Sequence, residues 1–559
     1  MPTPKGALQS RSGARRWRDQ DRVDFVIVGS GAAGGVLARE LALGGFGVVV
    51  LEQGPRLGTE DFEHDELKYW FLDGITNDAR SPQSFRTHED QEAVLRTPTP
   101  LRYARMVGGS SAHFTGNYWR FHPVDFQERS LLGPIEGTGF ADWPLRYEEL
   151  EPYYTKVDWD VGVSGLAGAS PFEPPRTRPY PMPPLPVKSS GVLLERGARK
   201  LGLHPFPAPM AINSRPYRGR PACLHCGFCH GFACEARAKA STLFGMLPEA
   251  EATGRCEVRA NAYAVRVETD AGGRASGVVY LDARGVTHLQ KARVVVVSAN
   301  GAETPRLLLN SASPRFPHGL ANSSGAVGRY LMFNYTSRVN AVFEHELNEF
   351  KSVQVTRVVH DYYQADPRRG FYGGGGIDAR IGPQPTVWAQ RVARDGALWG
   401  AALKARLREF PRSMVILAHS TSLPVASNSV SIDPTLKDAW GVPAIRVTYQ
   451  DHPDDLATGR FLQARAAEIA EAAGALRVEL APVKASTWAL HLLGTCRMGT
   501  DASTSVVDRD HRCHDVRNLV LCDGSSLVTS GRGQPTMTIQ ALAFRAADRL
   551  ARAARRGEL

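Results

Sequence analysis

The sequence has no apolar run approaching the ~20 residues that a bilayer-crossing helix needs. Its most apolar stretches, Val48-Val49-Val50-Leu51 and Val294-Val295-Val296-Val297, have the length of buried strands, so no transmembrane segment is expected. Also missing is any alternation of basic with aromatic residues. Lys and Arg are scattered among Asp and Glu, and the formal charge of +10 reads as solubility or a docking face, with no nucleic-acid partner. Cysteine is scarce, eight in 559 residues, which argues against a disulfide scaffold. No internal repeat or low-complexity tract occurs. After Arg15-Arg16-Trp17-Arg18, acidic residues stand where the apolar part of an export signal belongs. By sequence alone the chain reads as cytoplasmic, with export on a partner's signal the other route to the periplasm.

What is present is long enough for two large lobes, because a single core stops growing well below this length. Residues 1–20 are polar and basic and read as a loose arm. Val23 to Val28 then predicts a buried strand, Ala32 to Leu43 a helix, and Phe46 to Leu51 a second strand, a βαβ unit ending in Glu52. From Pro171 to Pro186 eight of sixteen residues are proline, which predicts an extended connector. Short strands between 255 and 300 lead into a helix start at Glu303-Thr-Pro305, which returns the chain to the first lobe. Between 331 and 485, strands (Ser337 to Phe343, Ser413 to Ala418, Ser429 to Ile432, Ile445 to Tyr449) precede a long helix, Pro453 to Gly474. That order predicts a separate lobe on a mixed or antiparallel sheet. Gly373 to Gly376 is expected to be a flexible loop.

Three constellations carry chemistry. In Gly29-Ser30-Gly31-Ala32-Ala33-Gly34, the glycines follow a strand and open a helix, and Glu52 lies 23 residues after the first of them. This arrangement turns backbone N–H groups toward a pyrophosphate and offers a carboxylate to ribose hydroxyls; it does not decide between FAD and NAD. The small-residue turn Gly108-Gly109-Ser110-Ser111-Ala-His113 should bring backbone close to the same ligand. Near the C-terminus, His491-Leu-Leu-Gly494-Thr495-Cys496 is followed 32 residues later by Asp523-Gly524-Ser525, then by Gln534-Pro535-Thr536-Met537 at a helix start. A histidine is the side chain best suited to take a hydroxyl proton near neutral pH. Finally, Cys223, Cys226, Cys229 and Cys234 fall within twelve residues, close enough in sequence to converge on one site. An iron–sulfur cluster, a zinc site or disulfide, and free thiols all remain open readings of them.

Taken together, these motifs resemble the glucose-methanol-choline (GMC) flavoprotein oxidoreductases over most of the chain, with Gly301-Ala-Glu-Thr304-Pro305 similar to the family's second signature. Trp143-Pro144-Leu-Arg-Tyr147-Glu-Glu-Leu-Glu-Pro-Tyr153 looks most like the branch of sugar, polyol and glycoside dehydrogenases that holds the gluconate and fructose dehydrogenase large subunits. The resemblance implies an α/β chain with a Rossmann-like FAD lobe assembled from residues 21–170, 250–330 and 486–559, a connector and cysteine segment over 171–249, and a substrate lobe over 331–485 whose sheet lies over the flavin. It implies that His491 is the base in hydride transfer to FAD and that Asp523 and Gly524 lie near the FAD phosphates and ribityl chain. Pro535, Thr536 and Met537 are implied near the flavin's pyrimidine end, and His113 at the position of a covalent flavin link in some branches. The family's second active position, His or Asn elsewhere, is Gln534, which can bind a hydroxyl but cannot act as a base. The branch also implies a 3Fe-4S cluster passing electrons toward a small subunit and cytochrome partner. Competing readings are an oxygen-using oxidase on the same fold and a hydroxynitrile-lyase type enzyme.

Overall fold

The computed structural model describes residues 16–71, 78–347, 351–380, 384–396 and 398–559. Its first lobe is built on a parallel sheet in which Val23–Val28 lies between Val48–Leu51 and the end of Thr287–Val297. Cys256–Arg259 flanks it on one side, and Leu519–Leu521 pairs with Val295–Val297 on the other. Strands covered on both faces need apolar residues at every position, which is why these segments read as unbroken runs of valine and leucine. The long strand Thr287–Val297 extends this sheet beyond its parallel part: its first half pairs antiparallel with Ala275–Leu281, which pairs in turn with Tyr263–Thr269. Asn261, with φ +54, separates this last strand from Cys256–Arg259, and both fall among the short strands expected between 255 and 300. The helix Ala32–Leu43 packs on this sheet, and Thr536–Arg555 packs on that helix and on Tyr147–Val157. Most of the expected loose arm lies outside the described residues, but its end is docked: Trp17 is buried and donates its backbone N–H to Glu257, and Asp19 accepts from Tyr280.

The second lobe carries an antiparallel sheet in the order Arg477–Leu480, Thr336–Val342, Ser413–Ser420, Gly375–Arg380, Val355–Val359, Phe206–Pro207. Side chains on a strand alternate between faces. Met414, Ile416 and Ala418, together with Ile377 and Ala379, therefore share one apolar face under the helices Ser189–Lys200 and Pro453–Ala472. The intervening residues, Gly376, Asp378, Arg380 and His419, point to the other face. The expected flexible loop at Gly373 to Gly376 is half strand: Gly375 and Gly376 are buried, and a Cβ on Gly375 would lie 2.0 Å from the His419 carbonyl. Close approach of two backbones, not mobility, explains these glycines. A third, four-stranded sheet joins Ser429–Lys437 and Pro443–Thr448 to Gln83–Arg86 and Val94–Leu95. Among the described residues no helix is long and apolar enough to cross a membrane.

Candidate active site

The glycine turn is shaped as a ligand cradle. Gly29 adopts φ +93, and a Cβ there would meet the Ser298 carbonyl at 2.4 Å; a Cβ on Gly34 would meet the Gly29 carbonyl at 2.0 Å. Gly31 differs, since a Cβ on it would meet nothing within 4 Å, leaving open space over the start of the helix Ala32–Leu43, which includes Ala33. Free N–H groups at such a helix start attract a pyrophosphate. The Gly108 turn is laced to this one: the Gly108 N–H donates to the Ser30 hydroxyl, which itself donates to Glu52. Glu52 also accepts from the N–H groups of Ser30 and Gly54, so both of its oxygens are engaged while further lone pairs remain for a ribose. Ser110, expected beside the ligand, is exposed, and its hydroxyl accepts from the Ala104 N–H. Asp523 is tied inward as well, accepting from the Asn300 N–H and the Thr304 hydroxyl on one oxygen and from the Ser525 N–H, beyond Gly524, on the other.

His113 ends the second turn fully enclosed. Its Nε2 has no partner among the described residues, and burial, reinforced by the nearby Lys239 cation, lowers its pKa to about 3. It is thus a buried neutral imidazole.

His491 is positioned by a pinned turn. Gly494, at φ +86, has no room for a Cβ, which would lie 2.4 Å from the Tyr330 carbonyl, and its N–H bonds to Gly524. The imidazole Nδ1 sits 3.2 Å from Asn334 Oδ1. Asn334 resolves the tautomer, because its Nδ2 donates to the carbonyls of Ser420, Ser530 and Gly531 and so turns Oδ1 toward the ring. An acceptor at that place requires an N–H on Nδ1, which leaves the lone pair on Nε2. The ring is partly accessible yet deep in the molecule. Burial, then His419 and Arg380, lower its pKa to about 4. Asn334 was not found from sequence; its only local signal is an asparagine at φ +60 just before a strand.

Gln534 follows Gly533, which is left-handed at φ +124 and packed against Trp119 and His419. Its side chain is partly accessible and bonds no other described residue. Pro535 caps the closing helix and its carbonyl accepts the first intrahelical bond, from Ile539. The N–H groups of Thr536 and Met537 therefore have no intrahelical acceptor.

The cysteine segment folds as a loop of left-handed turns at His225, Gly227 and Gly231. Cys226 is exposed, Cys229 buried, Cys223 and Cys234 half-buried, and all four are free thiols. Burial pushes Cys229 up to about 12 and Cys223 up to about 11. The four thiols lie near enough to act on one another electrostatically, but among the described residues no three His, Cys, Asp or Glu side chains are arranged to hold a metal ion. Instead, Lys239 stands at the centre, buried, with its ammonium donating to the carbonyls of Phe114, Cys229 and Phe232. It ties the loop to the turn that bears His113.

Comparison with known proteins adds to this geometry. A family model described as GMC oxidoreductase matches residues 23–335 with its N-terminal part and 424–543 with its C-terminal part. The chain is 35% identical over 539 residues to 2-methyl-1,2-propanediol dehydrogenase of Mycolicibacterium austroafricanum, covering 95% of this chain and 96% of that one. To the fructose dehydrogenase large subunit of Gluconobacter japonicus it is 30% identical over 546 residues, covering 94% and 97%. Among solved structures it is similar to pyridoxine 4-oxidase from Mesorbium loti, with a TM-score of 0.61 at 19% identity over 94% of this chain and 99% of that one, a likeness of fold.

Proposed function

The chain belongs to the GMC oxidoreductases, and from that premise we propose that it is an FAD-dependent dehydrogenase oxidising a hydroxyl of a sugar, polyol or glycoside to a carbonyl. The observation that carries this reading is the His491–Asn334 pair, which presents a neutral imidazole with a free Nε2 beside the lobe interface. The cradle at Gly29 to Gly34, the Gly108 turn and the free N–H groups of Thr536 and Met537 fit FAD, which when bound supplies the hydride acceptor. His491 Nε2 takes the hydroxyl proton, and Asn334 holds the ring so that only this atom is basic. Gln534, without a partner of its own, offers an amide to the substrate oxygen. Relatives named as a diol dehydrogenase and a fructose dehydrogenase large subunit support the substrate class.

The proposal extends to the cysteine loop, whose thiols would supply the ligands of an iron–sulfur cluster of the 3Fe-4S kind, a group that would carry single electrons toward a small subunit and cytochrome. Four cysteines in twelve residues, the exposure of Cys226 and the Lys239 link to the His113 turn support it. As folded, no three of the described side chains there are arranged to hold an ion. His113, neutral and with Nε2 unpartnered, suits a covalent flavin link; release of the flavin on acid precipitation would refute that bond.

The test is direct. The purified protein is loaded with FAD, analysed for iron and sulfide, and mixed with sugars and polyols without oxygen. Substrate should bleach the flavin, and His491→Ala should slow bleaching by about a hundredfold or more. Bleaching of the variant at the wild-type rate would sink the base assignment. Rapid peroxide formation without iron would mark an oxidase, and cyanohydrin cleavage without bleaching a lyase.

A further inference from the structure

Packed against the polar face of the second-lobe sheet, around His419, lie buried polar atoms for which the chain supplies no partner. Trp119 Nε1, His122 Nε2 and His360 Nε2 are all buried, and each lacks a hydrogen-bond partner among the described residues. Native structures rarely leave such groups bare, and a ligand is one of the few things that satisfies them. These three belong to one chain of touching rings. Trp119 and His360 lie 5.2 Å apart edge to face, His360 and His122 5.6 Å apart, and Trp119 also meets His419 at 5.0 Å. The chain of rings reaches the reaction centre: a Cβ on Gly533, next to Gln534, would lie 3.3 Å from Trp119 and 3.4 Å from His419. Asn334, which orients His491, also bonds the carbonyl of Ser420, beside His419.

Charge decides what these atoms can bind. Asp378 is taken up by Arg380, at 2.7 and 3.1 Å, and by His419 at 2.8 Å. Asp125 is taken up by Arg532, the Tyr363 hydroxyl and the His122 N–H, and Glu128 by Arg532 and the Tyr372 hydroxyl. The acids around the rings are thus all engaged, Asp378 by Arg380 and His419, and Asp125 and Glu128 by the Arg532 they share and by a tyrosine hydroxyl each, and burial keeps His122 and His360 neutral, both held well below the usual histidine pKa. What is left is an indole N–H that only donates and two imidazole nitrogens that donate or accept by tautomer. A hydroxyl, which does both, satisfies any of them. A carboxylate or an ammonium would enter with no counter-charge to meet it.

We infer that Trp119, His122 and His360 form a subsite for a second hydroxyl of the substrate, next to the one being oxidised, so that this enzyme selects neutral diols and polyols over acidic or amino analogues. The inference rests on the alcohol-oxidising reading above and narrows its substrate class. A site built to pair a hydroxyl leaves its own polar atoms bare when an analogue lacks that group, which is why discrimination can be large.

The test uses the FAD-loaded full-length protein with a dye acceptor and five probes: 1,2-propanediol, 1-propanol, 2-propanol, lactate and 1-amino-2-propanol. The diol should exceed each mono-alcohol by about tenfold or more in kcat/KM, with lactate and the amino-alcohol no better than the mono-alcohols. Trp119→Phe and His360→Phe should bring the diol-to-mono-alcohol ratio close to one, and His360→Gln, which restores an N–H, should recover part of it. Bound-flavin absorbance and the thermal midpoint report that each variant folds. A wild-type ratio near one, a preference for the acid or the amine, or a ratio that the Phe variants leave unchanged would overturn the subsite. If no probe and no sugar reduces the wild-type flavin, the alcohol-oxidising reading itself falls and takes the subsite with it. Mono-alcohol turnover without diol preference removes the subsite alone.

Discussion

At the scale of residues, the pairing of His491 with Asn334 makes a specific claim about pH. A base lowered to about 4 is already neutral above that value, so kcat/KM should be level from about pH 5 to 8 and fall only in acid. Asn334→Asp places a carboxylate against Nδ1, favours the imidazolium and should move the acid limb upward by about a unit or more. A profile that does not move would show that this contact does not set the base. Asn334→Leu removes the acceptor and with it the choice of tautomer, and a loss of about ten- to a hundredfold in flavin reduction is expected. His491 stands out in the sequence because it matches a position in the family's closing motif and a glycine-permitted turn and a later helix start flank it; its role as base belongs to the proposal. Asn334 was not, because its role comes from three carbonyls supplied by two distant segments, around Ser420 and Ser530, and no local pattern encodes them.

At the scale of elements, what the sequence made plain is what short-range physics governs. The strand, turn, helix and strand over Val23 to Leu51 follow from apolar runs and glycines at fixed spacing, and a Cβ at Gly29 is excluded both by φ +93 and by the Ser298 carbonyl. Gly29→Ala should therefore weaken FAD retention by about tenfold or more, measured by flavin release on dilution. The cysteine loop shows the opposite case. Spacing alone put four thiols near one another, but where each thiol points depends on left-handed turns at His225, Gly227 and Gly231, and on Lys239. That lysine satisfies three buried carbonyls. Lys239→Met should cost about 3–5 kcal/mol in denaturant unfolding, because the carbonyls are left bare, while a merely solvated lysine would cost almost nothing. Gly375 and Gly376 read as a loop because their partners, the His419 carbonyl and the His360 ring, come from elsewhere in the sequence.

At the scale of the whole molecule, buried neutral histidines govern stability in acid. Burial lowers His113, His230 and His360 to about 3, and His491 and His511 to about 4. In the unfolded chain each takes up a proton near 6.5. Below that pH the unfolded state binds more protons than the folded one, so stability present above about 6.5 is lost progressively as pH falls toward 4. The thermal midpoint of the protein should drop steadily from pH 7 to pH 4.5, and a midpoint that holds or rises over that window would contradict the burial of these side chains. The two-lobe arrangement followed from length and the order of elements; how the second sheet presents its polar face to the first lobe needed the register of its strands. One pairing in the first lobe bears on when the molecule becomes an enzyme at all. Leu519–Leu521 lies beside Val295–Val297, more than two hundred residues earlier in the chain, and the base and the closing helix come from the same late stretch. During synthesis the ribosome thus releases the strand that pairs with Val295–Val297 and His491, the proposed base, within moments of each other. A chain that has not reached His491 carries the Gly29 to Gly34 turn but neither the proposed base nor the strand Leu519–Leu521, so the two arrive together, after the nucleotide turn is already made.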